Sequence, residues 1–164
     1  MSRKRAFDPV VDANTRLLIL GSLPGDASLR AGQYYGHPRN AFWRLIGGVT
    51  GRDLAALPYD DRLAALKAAG VGLWDVIASA ERPGSLDAAI RAPEAADLRG
   101  LVSALPALRA VAFNGGKAAK LGGAVLADRP EGIALIDLPS SSPAHTRPFA
   151  DKAAAWAALA GHLA

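Results

Sequence analysis

Four short apolar runs constrain this chain more than any other feature: Leu17–Leu20, Val71–Ile77, Ala110–Phe113 and Ile133–Leu138. None has helical spacing, and three stop at turn residues (Gly21-Ser22, Asn114-Gly115-Gly116 and Pro139), so they read as buried strands. The stretches between them have helical character. Asp60–Ala69 closes on Gly70, a residue suited to stopping a helix. Pro93–Ala104 opens on Pro-Glu and then repeats apolar residues at helical spacing. Ala118–Leu121 predicts a shorter helix, and eight alanines among residues 150–164 predict a terminal one. Strands alternating with helices imply parallel strands joined by right-handed crossovers. The expected architecture is a three-layer α/β/α sandwich around a four-stranded parallel sheet. A length of 164 residues suits a single domain over 1–164, and a hydrophobic fraction of 51% is enough to bury a core.

Ligands of such sheets bind beyond the C-terminal strand ends. The first of those segments, residues 21–43, is too long for a plain connection. It carries Tyr34, Tyr35, His37, Arg39, Asn40, Phe42 and Trp43 among shaping glycines and prolines. Aromatic rings, amides and a base suit a flat, polar ligand. The same residues also suit a purely structural part, with the tyrosines covering the core and Asn40 capping the next helix. The fourth loop places Ser140, Ser141 and Ser142 between prolines, followed by His145 and Arg147. It reads either as a stiff turn or as a clamp on phosphates. The third, Asn114-Gly115-Gly116-Lys117, lacks P-loop spacing, and no GxGxxG follows any strand. No GxSxG elbow singles out a nucleophilic serine.

The absence of cysteine excludes disulfides, thiol nucleophiles, cysteine-bound zinc and iron–sulfur clusters. The three histidines lie far apart without an acidic cluster, so no metal is expected. No segment approaches the ~18 apolar residues of a membrane span, and the basic start lacks the apolar stretch of a secretory signal. A cytoplasmic protein follows as the expectation. The formal charge of +4 is unevenly placed. Residues 1–52 hold eight bases and three acids, so all the excess lies in the first third. Either the start is merely basic or the region carries a field for a polyanion, with residues 1–8 as a mobile basic arm.

GSLPG after the first strand, QYYGHPRNAFWRLIG behind it and the later LPSSSPAH together resemble the uracil-DNA glycosylase superfamily. The similarity runs through nearly the whole chain. It is strongest to the hypoxanthine-DNA (deoxyinosine) glycosylase branch, followed by the mismatch-specific uracil-DNA glycosylases. The GHPRNAFW block is the specific part, whereas GxxPG and the serine motif are short. The resemblance implies a monofunctional glycosylase that excises a deaminated base, hypoxanthine or uracil, from a flipped nucleotide. It implies no cofactor, no metal and no membrane, with DNA as partner and a monomer as the acting species.

Carried over by position, the resemblance makes Asn40 the catalytic residue. The Asp or Asn of the uracil-specific branches is replaced here by Leu23, which would line the base pocket without such chemistry. Tyr34 or Tyr35 falls where family members stack a ring on the extruded base, and Asp75 near the residue that reads the base edge. A main-chain N–H near Asn114 or in the first loop would meet the base carbonyl. The fourth motif begins with Leu138, so a histidine that would stabilise the leaving group is lacking, and Pro143-Ala144-His145 stands where others insert an apolar wedge. Arg39, Ser140, Ser141, Ser142, His145 and Arg147 are the candidate DNA contacts. An amide is neutral at working pH, so Asn40 would position water below C1′ rather than deprotonate it. A DNA-binding relative without activity is the competing expectation, because Leu23 and Leu138 both replace polar residues.

Overall fold

The structure is a computed structural model that describes residues 3–163. Its centre is a four-stranded parallel sheet in the order β3-β2-β6-β7, built from β2 (Leu17–Gly21), β3 (Val71–Asp75), β6 (Ala110–Asn114) and β7 (Ala134–Leu138). The expected α/β/α arrangement around this sheet is present. Side chains alternate along a strand, so β2 feeds two cores at once. Leu17 and Ile19 join a core with Phe42, Trp43, Leu66 and Trp156. That core lies under α2 (Phe42–Thr50), α3 (Tyr59–Ala68) and α6 (Phe149–Ala157). Leu18 and Leu20 face the opposite core, with Ile77, Leu98, Val102 and Phe113. Here α4 (Leu98–Ser103) and α5 (Gly116–Val125) close the layer. Gly122 lets α5 lie on the sheet, because a Cβ there would sit 2.4 Å from the Phe113 ring.

A second sheet departs from the sequence expectation. β1 (Lys4–Arg5), β4 (Ile77–Glu81) and β5 (Arg91–Ala95) form a three-stranded antiparallel sheet in the order β1-β4-β5. The apolar run Val71–Ile77 is therefore two strands: the Val76 and Ile77 amides turn to the Gly21 and Ser22 carbonyls at 2.8 and 3.1 Å. The helix expected over Pro93–Ala104 begins only at Leu98, because Pro93 lies in β5. β5 is an edge strand, where a residue without an N–H is tolerated. Asp97 then starts α4 by accepting the Gly100 amide at 3.0 Å.

The basic start is not a free arm over its described part. Lys4 and Arg5 pair with Ala80 and Ser79, and Arg3 donates to the Ala92 carbonyl at 2.7 Å. Met1 and Ser2 lie outside the described residues. The first loop also contains a six-residue helix, α1 (Asp26–Ala31), ended by Gly32 in the left-handed region.

Candidate active site

Parallel register brings the functional strand ends to one edge of the main sheet. Gly21 is the register partner of Asp75, and Asn114 that of Leu138. A cavity of about 520 Å³ opens there. Its wall takes in Leu23, Tyr34, Tyr35, Asn40, Asp75, Asn114, Ser140, Ser141, Ser142 and His145 from the sequence-derived candidates. Arg39 and Arg147 are exposed and do not line it.

Asp75 is only 3% exposed, and among the described residues its Oδ2 has no hydrogen-bond partner. Burial first, and the nearby Asp87 second, push its carboxyl up to about 7, with Arg82 opposing. The Tyr35 hydroxyl is likewise buried without a partner. Burial, reinforced by the Asp75 charge, pushes that phenol up. Gly21 permits the two groups to converge. A Cβ there would lie 2.6 Å from Asp75 Oδ1 and 3.1 Å from the Tyr35 hydroxyl. Tyr35 itself adopts a positive φ of 54°, a strained setting for a bulky residue, and its ring stacks on Phe42 at 3.9 Å and 14°. Buried polar groups without partners beside a cavity are sites where a ligand can supply the missing bonds.

The two tyrosines part company here. Tyr34 is anchored in the core: its hydroxyl donates to the Asp8 carbonyl at 3.1 Å and its carbonyl accepts Trp43 Nε1 at 3.2 Å. Its ring meets Phe7 edge-on. Asn40 combines the structural and functional readings. Its Oδ1 accepts the Phe42 amide at 2.9 Å, which ties it to the start of α2 and fixes which way the amide faces. Its Nδ2 has no partner among the described residues.

The fourth loop is clasped to the sheet by a reciprocal pair. Asn114 Nδ2 donates to Ser141 Oγ at 2.9 Å, and the Ser141 amide donates to Asn114 Oδ1 at 2.9 Å. The Ser141 carbonyl in turn accepts the Ala41 amide at 3.0 Å. Ser141, 1% exposed, thus joins β6, the fourth loop and α2, and it is a fastener where a surface phosphate contact was expected. Ser140 and Ser142 accept the amides two residues on, at 3.1 and 3.2 Å, which leaves their O–H donors available. His145 is half-buried, and its Nδ1 has no partner.

Three residues that shape the site were not singled out from the sequence. Arg82, 1% exposed, donates to the Leu23, Pro24 and Gly84 carbonyls at 3.3, 2.7 and 2.8 Å, which holds the first loop in its bend. Lys152, 4% exposed, donates to the Ser142 and His145 carbonyls at 3.2 and 2.7 Å. Burial, with the Arg147 charge second, lowers its ammonium pKa. One signal for Lys152 was present: it sits four residues before the buried Trp156, on the inward face of α6. Asp87 lines the cavity and accepts the Ser22 hydroxyl at 2.6 Å.

Among the described residues, no group of three His, Asp or Glu side chains could hold a metal ion. No helix there is long and apolar enough to cross a membrane.

Comparison with known proteins places the whole chain in a family. The family model of the uracil DNA glycosylase superfamily matches residues 9–160. A protein of Methanosarcina barkeri named hypoxanthine DNA glycosylase is 43% identical over 155 residues, covering 94% of this chain and 96% of its own. One of Methanosarcina acetivorans with the same name is 43% identical over 159 residues, covering 97% and 99%. A solution NMR structure of a Methanosarcina acetivorans protein assigned to the uracil DNA glycosylases superposes with a TM-score of 0.88 at 42% identity, over 99% of both chains. The chain belongs to the uracil DNA glycosylase superfamily.

Proposed function

We propose that this protein is a monofunctional hypoxanthine-DNA glycosylase. It hydrolyses the N-glycosidic bond of a deoxyinosine turned out of the DNA and leaves an abasic site. The observation that carries the reading is the strand-end cavity, with Asn40 and the unpartnered Asp75 in its wall. It occurs in a chain 43% identical, over nearly its whole length, to two proteins named hypoxanthine DNA glycosylase.

Turning the base out costs roughly a few kcal/mol. Stacking on Tyr35, already backed by Phe42, returns about 1–3 kcal/mol. Phosphate contacts then supply most of the affinity, with Ser140, Ser142, Arg39 and Arg147 as donors. Bond cleavage develops positive charge on the sugar and negative charge on the base. Asn40 orients the water that adds at C1′, through the lone pair of Oδ1 that Phe42 leaves free or through Nδ2. Ionised Asp75 accepts the N1–H of hypoxanthine, and main-chain N–H groups near Asn114 meet O6. Uracil offers a similar N3–H between two carbonyls, which makes it the second substrate to test. The proposed reaction uses no lysine nucleophile: among the described residues no lysine lines the cavity, and Lys152 gives two donors to the fourth loop. The acting species in this reading is a monomer in the cytoplasm, and its partner is DNA with a deaminated base.

The test is a panel of oligonucleotides carrying inosine, uracil, xanthine or no lesion, single- and double-stranded. Alkali-revealed breaks at inosine support the proposal. DNA binding without breaks at any lesion would identify a relative without activity, and breaks at uracil alone would identify a mismatch-type uracil enzyme.

A further inference from the structure

Beside the base cavity lies a second groove of about 310 Å³. The two share Tyr35, His37 and Asn40 as a common wall, and the far side of the groove carries Trp43, Arg44 and Arg62. No acidic residue lines it. Neither arginine was singled out by motif or resemblance.

Both arginines are held in place while keeping donors free. Arg62 donates through Nε to the Leu57 carbonyl at 2.8 Å and through Nη2 to Ala55 at 2.9 Å, and its guanidinium lies over the Trp43 ring at 5.4 Å. Its Nη1 is unused among the described residues. Arg44 lies over the Phe149 ring at 4.6 Å and makes no hydrogen bond or ion pair there. Two ordered guanidinium groups without a carboxylate form a site for an anion, and their planar forks match a phosphate.

We infer that this groove binds the phosphodiester backbone on one side of the flipped nucleotide. The inference rests on the proposed function for its orientation. With the base in the cavity and the sugar at Asn40, the strand must leave over the shared wall, and one of its two directions leads to Arg44 and Arg62. The contact is therefore one-sided: it needs phosphates on one flank of the lesion only.

Arg44→Gln tests this, since Arg44 is exposed and its guanidinium lies over the Phe149 ring. The binding of inosine-containing DNA is measured against salt. The variant should lower the slope of log K on log salt by about 0.9 per lost contact on duplex, or about 0.7 on single strands. At subsaturating enzyme, excision should fall roughly tenfold, the loss of one charge-assisted hydrogen bond, with the saturated single-turnover rate held within about twofold. Oligonucleotides with the lesion at the 5′ or the 3′ end complete the experiment. The penalty should vanish when one flank is removed and persist when the other is. Arg99→Gln, whose partner is Asp128, should leave the slope unchanged. Arg62→Gln, with its melting temperature monitored because Arg62 also holds the Leu57 and Ala55 carbonyls, repeats the test on the second cation. An unchanged slope in Arg44→Gln, or a penalty indifferent to which flank remains, overturns the inference. Binding is read without catalysis, so a wild type that binds but never cleaves would sink the functional reading and still decide the groove.

Discussion

Asp75 is a carboxyl held near neutrality by burial and by Asp87, at the point where a lactam edge would be read. Because its folded pKa of about 7 lies above the ordinary carboxylate value, the native state keeps a proton that the unfolded chain has lost. Its contribution to stability is therefore fully present at acid pH and lost as pH rises toward 7. Asp75→Asn should abolish that decline: measured by thermal melting, it should gain over wild type at pH 8 and not at pH 4. Activity should run the opposite way. In the proposed reaction ionised Asp75 accepts N1–H, so excision of hypoxanthine should rise through pH 7 to a plateau, and the rise should disappear in Asp75→Asn. A rate that falls above pH 7 would instead make Asp75 a proton donor to the leaving base. Tyr35→Phe keeps the ring on Phe42 and removes one unpartnered hydroxyl. Without substrate it should be neutral or stabilising in chemical denaturation, because a buried donor without a partner is lost. A clear destabilisation would show that the hydroxyl has a partner in the free protein.

At the scale of elements, the fourth loop depends on two fastenings, and they should fail differently. Asn114→Ala leaves the buried Ser141 amide without an acceptor and should cost about 1–3 kcal/mol in chemical denaturation. Ser141→Ala takes the acceptor from Asn114 Nδ2 but keeps the amide bond to Asn114 Oδ1, so it should cost less; the reverse order would contradict the reciprocal clasp. Lys152→Met removes a buried cation from the inward face of α6 and should slow excision more than it lowers stability, since a buried charge carries its own desolvation cost. These contacts also mark the limit of what was legible in advance. The main sheet was readable because Leu17–Leu20 and Ala110–Phe113 are continuous apolar runs ending in turns, as strands buried on both faces must be. The loops at its edge followed from topology and the candidate residues in them partly from the family resemblance, and ten of the twelve line one cavity. The small sheet was hidden because β1, β4 and β5 are short and partly polar, and Lys4 finds its partner at Ala80. Arg82 acts by gripping the Leu23 and Pro24 carbonyls, far away in sequence, which no local pattern announces, and the spacing of Lys152 to Trp156 marks its inward face but not the carbonyls it holds.

Across the whole molecule, the basic first third changes meaning once folded. Arg3 and Lys4 are committed to carbonyls, a serine and Asp26 within the small sheet and first loop. Arg39 and Arg44 remain exposed near the proposed strand path. The positive excess is thus a few placed cations rather than a broad field, and DNA affinity should fall steeply with salt through those contacts. In the proposed reaction this cavity hydrolyses the glycosidic bond of deoxyinosine, with Asn40 positioning the water. The most direct measurement is release of free hypoxanthine from an inosine-containing duplex in a single turnover, comparing wild type with Asn40→Ala. Wild type should release hypoxanthine stoichiometrically, and the variant should lose about 100-fold or more, as expected when a positioning group is removed, with DNA affinity nearly unchanged. No release by wild type, or equal release by Asn40→Ala, would contradict it.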